Sequence, residues 1–369
     1  MARLNFSTLP TNPLVGARWG AFRKVVKGKK IDKKYKGKYI LTAIICGLLN
    51  LGRPMEELVY RLRVRNMKLD DAPLFILGHW RSGTTFVHNV FCKDRQFGYT
   101  TTYQTVFPNI MLWGQWLFRR CMAAVMPERR PTDNMELSPN LPQEEEFAMS
   151  NLVPYSFYHF WYFPRHTREY SDKYLTFRTC TEEERDTYKR EFMRMVKTSL
   201  YNTGGKRFLS KNPPHTGHIR EILEMFPNAR FIYLVRNPYT VFESTRNFFT
   251  NVIGPLKLQD ITPEQIESDI VQTYTDLYTR YEEQKGLIPE GHLVEVKFED
   301  FEADPLGMTE RIYRDLSLEG FEEARPAIEA YIGGKKGYRK NAYEYEERTR
   351  RIVEENWGYA LRQWGYDNI

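Results

Sequence analysis

The stretch Pro73-Leu-Phe-Ile-Leu-Gly78-His-Trp-Arg-Ser-Gly-Thr-Thr85 decides the predicted fold. Its first half is a short apolar run that a glycine ends, which is typical of a buried β-strand. The segment from Thr84 to Phe91 has helical character, so a strand, a glycine-containing loop and a helix follow one another. In such a unit the N–H groups at the start of the helix point at an anion. The stretch therefore predicts an anion-binding turn.

Five residues of this turn are candidates for the anion site. Arg81 offers a planar cationic fork, and the hydroxyl groups of Ser82, Thr84 and Thr85 are further donors. Gly83 has no side chain and lets the backbone approach the anion. These residue types predict that the turn binds the anion through both its backbone and its side chains.

The turn lacks the lysine of a nucleoside-triphosphate loop. Gly78 and Gly83 have the spacing of that loop, but Thr84 stands where a lysine would reach the β- and γ-phosphates. A second predicted strand, which ends at Val235, delivers Arg236 in place of an acidic residue that would help to hold Mg²⁺. We therefore expect an anion with fewer charges than a triphosphate, such as a phosphosulfate, and no metal ion.

Strand and helix patterns alternate along much of the remaining chain. Short apolar runs predict further strands at residues 207–210, 229–235 and 292–298. Amphipathic or helical segments are predicted at residues 215–226 and 239–249. Strands that alternate with helices favour an α/β fold with a parallel sheet. We predict a P-loop-like, doubly wound parallel sheet flanked by helices.

Residues 99–203 interrupt this pattern with irregular, mostly helical and aromatic sequence. Between Tyr155 and Phe163, seven of nine residues are aromatic. Two explanations remain open: a densely packed subdomain core, or one wall of an apolar acceptor pocket. We predict a helical, aromatic-rich, acceptor-binding insertion within a catalytic domain of residues 71–369. A basic arm and an apolar helical extension, in residues 1–70, precede that domain.

Positive charge is concentrated in the N-terminal arm. The formal net charge is +7, and eleven of the 54 Lys and Arg lie within residues 1–38, together with a single Asp. Such an arm can contact nucleic acid or an anionic membrane surface, or be a solvated leader. The rest of the chain is near neutral; we predict no nucleic-acid partner and expect the arm, with the apolar run that follows it, to make peripheral membrane contact.

An apolar run follows the arm. The 14 uncharged residues Tyr39–Gly52 are too few for a membrane span, which needs about 20. We interpret the run as a buried or interfacial helix. The four cysteines lie far apart without a C-x-x-C pair, so neither a disulfide framework nor a zinc site is expected. A reducing, cytoplasmic location, with association to a membrane through the arm, is the prediction.

A second segment combines an arginine at a strand end with a serine in the next helix. In Tyr233-Leu-Val-Arg236-Asn-Pro-Tyr-Thr-Val-Phe-Glu-Ser244 the two residues are eight positions apart, and such a pair can converge on a second phosphate. Together with Arg81-Ser-Gly-Thr-Thr85, this segment resembles the sulfotransferase family that uses 3′-phosphoadenosine 5′-phosphosulfate (PAPS). The resemblance implies that residues 81–85 bind the 5′-phosphosulfate, and that Arg236 and Ser244 bind the 3′-phosphate.

Two further segments are similar to the same family, over about residues 72–366. Leu209-Ser-Lys211-Asn-Pro213 resembles its lysine-containing turn, which implies that Lys211 assists the leaving oxygen in an in-line transfer. The C-terminal segments Lys335-Lys-Gly-Tyr-Arg-Lys340-Asn341 and Trp364-Gly-Tyr366 are similar to bacterial and protein-tyrosine-sulfating members. This similarity implies that Lys340 and Asn341 contribute to donor binding.

Two regions are candidates for the general base that activates an acceptor hydroxyl. Pro213 stands where small-phenol and steroid sulfotransferases have a histidine. His215, two residues on, could substitute for it or could buttress the next helix. The segment Pro139–Phe147 resembles an acidic segment of bacterial members, and its glutamates either complement a helix dipole or face the active site. The glutamate candidates are, in order, Glu145, Glu144 and Glu146.

We therefore expect a PAPS-dependent sulfotransferase that acts on the hydroxyl of a small lipophilic acceptor. A sterol or steroid is favoured, and a phenol or a lipid also fits the aromatic insertion and the apolar run. A P-loop, metal-dependent kinase of a nucleoside or small alcohol is an alternative, against which the missing lysine argues. A catalytically silent nucleotide-binding protein at a membrane surface is another. The intact set Arg81, Lys211, Arg236 and Ser244 argues against lost catalysis.

Overall fold

The computed structural model describes residues 10–70, 72–126, 136–334 and 345–367. The chain divides into two units. Unit 1 contains the described residues within 1–69, 99–204 and 248–266, and unit 2 contains those within 70–98, 205–247 and 267–369. The domain division expected from the sequence, between residues 70 and 71, remains a prediction.

Unit 2 is built on a five-stranded parallel sheet. The strands are, in chain order, β1 (Leu74–Leu77), β2 (Phe97–Gly98), β3 (Arg207–Lys211), β4 (Arg230–Val235) and β5 (Leu293–Lys297). Their order across the sheet is β2-β3-β1-β4-β5, and each neighbouring pair is parallel. Because parallel strands all point the same way, the carboxyl ends of β3, β1 and β4 lie side by side at one edge of the sheet.

Helices make up most of the remaining regular structure. In chain order they are α1 (Trp19–Val26), α2 (Lys36–Asn50), α3 (Arg53–Arg63), α4 (Thr84–Phe91), α5 (Thr102–Val106), α6 (Gln115–Val125), α7 (Glu145–Leu152), α8 (Thr167–Tyr170), α9 (Glu182–Thr203), α10 (Ile219–Met225), α11 (Pro238–Leu256), α12 (Pro263–Gln284), α13 (Phe298–Ala303), α14 (Pro305–Asp315), α15 (Phe321–Gly333) and α16 (Glu347–Trp364).

The core of unit 2 forms because its central strands are apolar on both faces. All four residues of β1 are buried, and so are five of the six residues of β4. One hydrophobic cluster joins Ile76 of the sheet with Val87 of α4, Ile312 of α14 and Ile328 of α15. Near-continuous runs of apolar residues are what a parallel sheet covered by helices requires. The predicted parallel α/β fold is confirmed.

Two local features differ from the sequence-based prediction. The helix predicted from His215 begins only at Ile219, and a 3₁₀ turn, Pro213–Gly217, precedes it. The turn ends at Gly217, whose low helix propensity disfavours an α-helix that runs from His215 through it. The short strand β2 carries too few residues for a strand pattern to be recognised.

Unit 1 is helical and contains the aromatic segment. The side chains of Phe157, Tyr158 and Trp161 are fully buried. The rings of Phe157 and Phe160 lie 4.6 Å apart, and those of Phe160 and Trp161 lie 4.0 Å apart. Of the two explanations for this segment, the densely packed core is the one that these contacts favour.

The described part of the N-terminal segment is folded within unit 1. Leu14, Phe22 and Cys46 are buried there. The apolar run Tyr39–Gly52 is helical over nearly all its length, as predicted, since it lies within α2 and the turn after it. Among the described residues, no helix combines the length and the apolar character needed to cross a bilayer.

Candidate functional site

The turn between β1 and α4 has an unusual backbone. Gly78, Arg81 and Gly83 have positive φ angles of 134°, 69° and 88°. Residues with a Cβ rarely adopt such angles, so Arg81 is held in a strained conformation, as is common at ligand-binding sites. A Cβ at position 78 would lie 2.6 Å from the carbonyl oxygen of Leu234, and this close approach requires glycine.

Gly83 is the residue that opens α4. A Cβ at this position would lie 2.1 Å from the ring of Phe298, so the ring closes one side of the turn. The helix starts at Thr84, and its first N–H groups have no partners within the helix. The hydroxyl-bearing residues Ser82 and Thr84 are buried beside them. Because a helix N-terminus carries partial positive charge, this arrangement suits an anion.

Three predicted residues from distant parts of unit 2 meet at this turn. Nε of Arg81 donates a hydrogen bond of 2.9 Å to Oγ of Ser244, 163 positions along the chain. Nη1 of Arg236 donates a hydrogen bond of 3.0 Å to the carbonyl oxygen of Arg81. Two guanidinium groups and a hydroxyl are therefore gathered beside the N-terminus of α4. This group can bind an anion with more than one phosphate or sulfate.

The junction of β5 and α13 supports this group of residues. The ring of Phe298 lies 4.9 Å from the guanidinium carbon of Arg236, a distance typical of cation–π contact. Glu299 accepts hydrogen bonds from the N–H of Asn237 at 3.0 Å and from the hydroxyl of Tyr366 at 2.7 Å. These bonds fix the backbone that follows β4, and hence the direction in which Arg236 projects.

Lys211 lies at the carboxyl end of β3, the strand beside β1. It is paired in register with Ile76, two residues before Gly78, and it is only 2% exposed. Burial lowers the pKa of His88 in α4 well below its usual value, and the positive charge of Lys211 lowers it further. Lys211 is therefore a buried side chain near His88 of α4.

His215 is buried in the 3₁₀ turn before α10. Its Nδ1 lies 3.0 Å from Oγ of Ser210, and its ring packs edge-on against Phe75 at 5.6 Å. Burial, with a smaller contribution from His218, lowers the pKa of His215 well below its usual value. These contacts fit the buttressing role that the sequence left open for His215.

Two neighbouring side chains also support the turn. The Oγ1 of Thr216 accepts a hydrogen bond of 2.9 Å from the N–H of Gly78. His79 is buried, with its Nδ1 2.8 Å from the carbonyl oxygen of Trp80 and its ring 5.1 Å from that of Tyr274. Burial lowers the pKa of His79 to about 4, so this imidazole is neutral at physiological pH. The turn is thus held from the β3 side and from α12.

The glutamates predicted as bases lie at the start of α7, in unit 1. Glu145 and Glu146 are fully buried, and Glu144 is 9% exposed. Glu146 accepts hydrogen bonds from the hydroxyl groups of Ser156 at 2.6 Å and Tyr188 at 2.8 Å, and Glu144 accepts one from Tyr158. Buried carboxylates with such specific donors do more than complement a helix dipole at the surface.

The structure therefore brings together Arg81, Arg236 and Ser244 at the turn that contains Ser82, Gly83, Thr84 and Thr85. Lys340 and Asn341 lie outside the described residues. Sequence reasoning missed Phe298, Glu299 and Thr216. The strand pattern that ends at Phe298 was a usable signal, because strand ends of a parallel sheet meet at one edge. No local pattern marks Thr216.

In the part of the chain that the structure describes, no group of three or more His, Cys, Asp and Glu side chains could hold a metal ion. The cations at the turn are side chains, chiefly the guanidinium groups of Arg81 and Arg236.

Comparison with known proteins gives this site a family. Residues 73–323 match the model of the sulfotransferase family. An omega-hydroxy-beta-dihydromenaquinone-9 sulfotransferase, from Mycobacterium bovis and from Mycobacterium tuberculosis, is 33% identical over 312 residues, which are 85% of this chain and 80% of the relative.

Solved structures share the fold. The sulfotransferase STF9 of Mycobacterium avium superposes with a TM-score of 0.68 at 16% identity, over 94% of this chain and 96% of that one. The sulfotransferase STF1 of Mycobacterium tuberculosis superposes with a TM-score of 0.66 at 17% identity, over 92% of this chain and 90% of that one. The family model matches more than half of the chain, and the menaquinone-derivative sulfotransferase is 33% identical to it. The chain therefore belongs to the sulfotransferase family and is a sulfotransferase.

Proposed function

We propose that this enzyme transfers the sulfuryl group of PAPS to the hydroxyl of a lipophilic acceptor. One observation carries the donor assignment: the guanidinium groups of Arg81 and Arg236 and the hydroxyl of Ser244 converge at the N-terminus of α4. PAPS carries two anionic groups, a 5′-phosphosulfate and a 3′-phosphate. A helix N-terminus together with a separate Arg and Ser pair provides for both.

The shape of the turn is consistent with this donor. Side chains are excluded at Gly78 and Gly83, because a Cβ at either position would collide with the carbonyl oxygen of Leu234 or the ring of Phe298. Glycine at these positions therefore lets the turn pack closely against β4 and Phe298. A sulfuryl group carries less charge than a γ-phosphoryl group, so side-chain cations can take the role that Mg²⁺ has in kinases.

The proposed reaction is an in-line displacement at sulfur. A bond forms between the acceptor oxygen and sulfur as the bond from sulfur to the bridging oxygen breaks. The electron pair of that bond stays on the 5′-phosphate, and the hydroxyl proton passes to a base. Lys211 and Arg81 are assigned to stabilise the charge that develops on the leaving oxygen. Burial of Lys211 strengthens such an interaction, because the local dielectric is low.

Glu145 is the preferred candidate for the base, followed by Glu144, Glu146 and His215. Hydroxyl donors orient the carboxylates on either side of Glu145, which makes the start of α7 a rigid and polar site. His215 ranks last because burial depresses its pKa and it packs against Phe75.

The acceptor is assigned as a lipophilic alcohol. The relative with 33% identity is named for a hydroxylated menaquinone derivative, which is a lipid-like acceptor. We therefore place long-chain lipid alcohols first, and the sterols and steroids favoured by the sequence second, with phenols after them.

Transfer of labelled sulfate from PAPS to a panel of lipid alcohols, sterols and phenols tests this proposal. We expect label in one lipophilic alcohol or more, no requirement for Mg²⁺, and no transfer of labelled phosphate from ATP. The desulfated donor, at 100 times its Kd, should also stabilise the enzyme by about 2.7 kcal/mol. Phosphate transfer from ATP, or no stabilisation by the desulfated donor, would overturn the donor assignment.

A further inference from the structure

Helices α2 and α3 of unit 1, which follow one another along the chain, expose many large apolar side chains. Ile40, Ile44 and Leu48 of α2 are 54%, 55% and 61% exposed, and Leu62 of α3 is 75% exposed. Soluble proteins rarely leave so many large apolar residues together in water, and such patches mark interaction sites. The complete set, which we call the α2–α3 face, is Ile40, Leu41, Ile44, Leu48, Leu51, Met55, Leu58 and Leu62.

The α2–α3 face follows helical periodicity. On α2 the exposed residues recur at intervals of three or four, and the opposite side is buried through Thr42 and Cys46. On α3, Met55, Leu58 and Leu62 recur in the same way, while Glu56 is buried on the other side. Each helix therefore packs one side on unit 1 and presents a second apolar side outward.

A tryptophan is fixed beside the corner of the two helices. Both carboxylate oxygens of Glu56 accept hydrogen bonds of 2.9–3.1 Å from the N–H groups of Met111, Leu112 and Trp113. These hydrogen bonds hold Trp113 close to Gly52, where a Cβ on residue 52 would lie 3.0 Å from the indole ring. Trp113 is 38% exposed, and Trp116, in the next turn, is 65% exposed. Tryptophan is the residue that proteins favour at membrane–water interfaces.

Basic residues surround this face. Residues 27–68 contain twelve Lys and Arg and only three acidic residues. Each acid is engaged within unit 1: Asp32 with Arg165, Glu56 with backbone N–H groups, and Glu57 with two arginines. The exposed cations include Lys33, Lys36, Arg63, Arg65 and Lys68. The segment that carries the face therefore combines exposed apolar side chains with an excess of exposed positive charge.

An arginine-lined groove adjoins the end of α3. This open groove of about 480 Å³ is lined by Arg61, Arg65, Arg190 and Arg194, together with Tyr60 and two glutamates. One glutamate, Glu57, pairs with Arg61 and Arg194, and the other pairs with Arg18. The groove retains an excess of guanidinium groups, which bind phosphate groups well.

We propose that the α2–α3 face and Trp113 dock unit 1 onto the surface of an anionic lipid membrane, with both helices in the plane of the interface. Apolar side chains, tryptophan and a cationic surround are the combination that such interfacial helices need. A second copy of the chain is a poorer occupant, because two equally basic surrounds would face each other and repel. The sequence predicted contact through the basic arm; this inference assigns the main contact to the helices that follow it.

Flotation with lipid vesicles tests the inference in the full-length enzyme. Vesicles of phosphatidylcholine alone are compared with vesicles that contain phosphatidylglycerol as well. We expect strong binding to the anionic vesicles, weaker binding to the neutral ones, and a decrease at high salt. Leu62→Glu should weaken binding at least tenfold, because it places a charge in the apolar face. Removal of one surrounding cation, as in Lys36→Ala, should weaken binding about fivefold, the equivalent of about 1 kcal/mol.

The matched control is Leu287→Glu. Leu287 is also exposed, at 44%, but it lies in unit 2 and outside the α2–α3 face. This variant should bind vesicles like the wild type. No binding of the wild type to anionic vesicles, or equal losses in the two leucine variants, would overturn the inference. A dimer of the wild type in sedimentation experiments, dissociated by Leu62→Glu, would also overturn the inference, because a second copy would then cover the α2–α3 face. Donor binding by both variants is independent of this outcome, so a failure here leaves the proposed function intact.

Discussion

Replacement of Gly83 by alanine tests the geometry of the turn most severely. Gly83 has a φ of 88°, and a Cβ there would lie 2.1 Å from the ring of Phe298. The left-handed backbone conformation costs a residue with a Cβ roughly 1–2 kcal/mol. Overpacking against a buried ring adds roughly 1–3 kcal/mol. We therefore expect Gly83→Ala to lower the free energy of unfolding by roughly 2–5 kcal/mol.

The chain offers a matched control for the backbone cost. Gly291 has a φ of 78°, and a Cβ there would meet no atom within 4 Å. Gly291→Ala should therefore lower the free energy of unfolding by only roughly 1–2 kcal/mol, the cost of the left-handed backbone conformation. The difference between the two variants in urea unfolding isolates the collision with Phe298.

Donor binding should separate the two variants further. The ring of Phe298 also supports Arg236, and a shift of the ring or the turn misaligns the donors for the anion. The loss of one hydrogen bond to a charged group costs roughly 1.5–3 kcal/mol, which is about 10- to 150-fold in Kd. We expect this loss for Gly83→Ala and none for Gly291→Ala. Equal stabilities and equal affinities for the desulfated donor in the two variants would refute the reasoning.

Three other predictions concern single side chains. Ser244→Ala removes the hydroxyl that Arg81 contacts, and should raise the Kd of the desulfated donor about tenfold in calorimetry. An unchanged Kd would contradict the assignment of Ser244 to the donor site. Glu145→Gln should lower kcat about 10²- to 10⁴-fold and leave donor affinity intact, if Glu145 is the base; wild-type kcat would remove it from consideration. Burial lowers the pKa of His79 to about 4 in the folded protein, whereas its value in the unfolded chain is about 6.5. As the pH falls, His79 therefore binds a proton in the unfolded chain before it does so in the folded protein. The free energy of unfolding by urea should therefore decrease from about pH 6.5 towards pH 4. This decrease should be smaller in His79→Gln than in the wild type. Equal pH profiles of the two proteins would contradict a buried, neutral His79.

Much of the candidate anion site was predictable because its signals are local. The apolar strand, the two glycines and the following helix lie within one short stretch, 73–91. The Arg and Ser pair of β4 and α11 likewise lies within one segment, so the family resemblance could be recognised from both. The strand pattern is strong here because buried parallel strands are almost wholly apolar.

The contacts that complete the site were not predictable, because they join distant residues. Nothing in the sequence near Gly83 indicates that Phe298 covers it, and nothing near Gly78 indicates that its N–H is bonded to Thr216. Arg81, which bonds directly to Ser244, also has a positive φ, which residue type alone disfavours. Strain of this kind is set by tertiary structure rather than by local preference.

The exposed α2–α3 face also lay beyond sequence analysis. The apolar run was predicted as a buried or interfacial helix, and only the structure shows that Ile44 and Leu48 face outward while Cys46 is buried. Periodicity identifies an apolar helix, but when apolar residues occur on more than one side it does not tell which side packs on the protein.

The most direct test of the donor site is calorimetric titration of the enzyme with 3′-phosphoadenosine 5′-phosphate in the presence of EDTA. We expect binding that EDTA does not alter and that ATP with Mg²⁺ does not prevent at equal concentration. We also expect a Kd at least tenfold higher in Arg236→Ala, because a charge-assisted contact is lost. Binding that disappears with EDTA, or an Arg236→Ala variant that binds as tightly as the wild type, would contradict it.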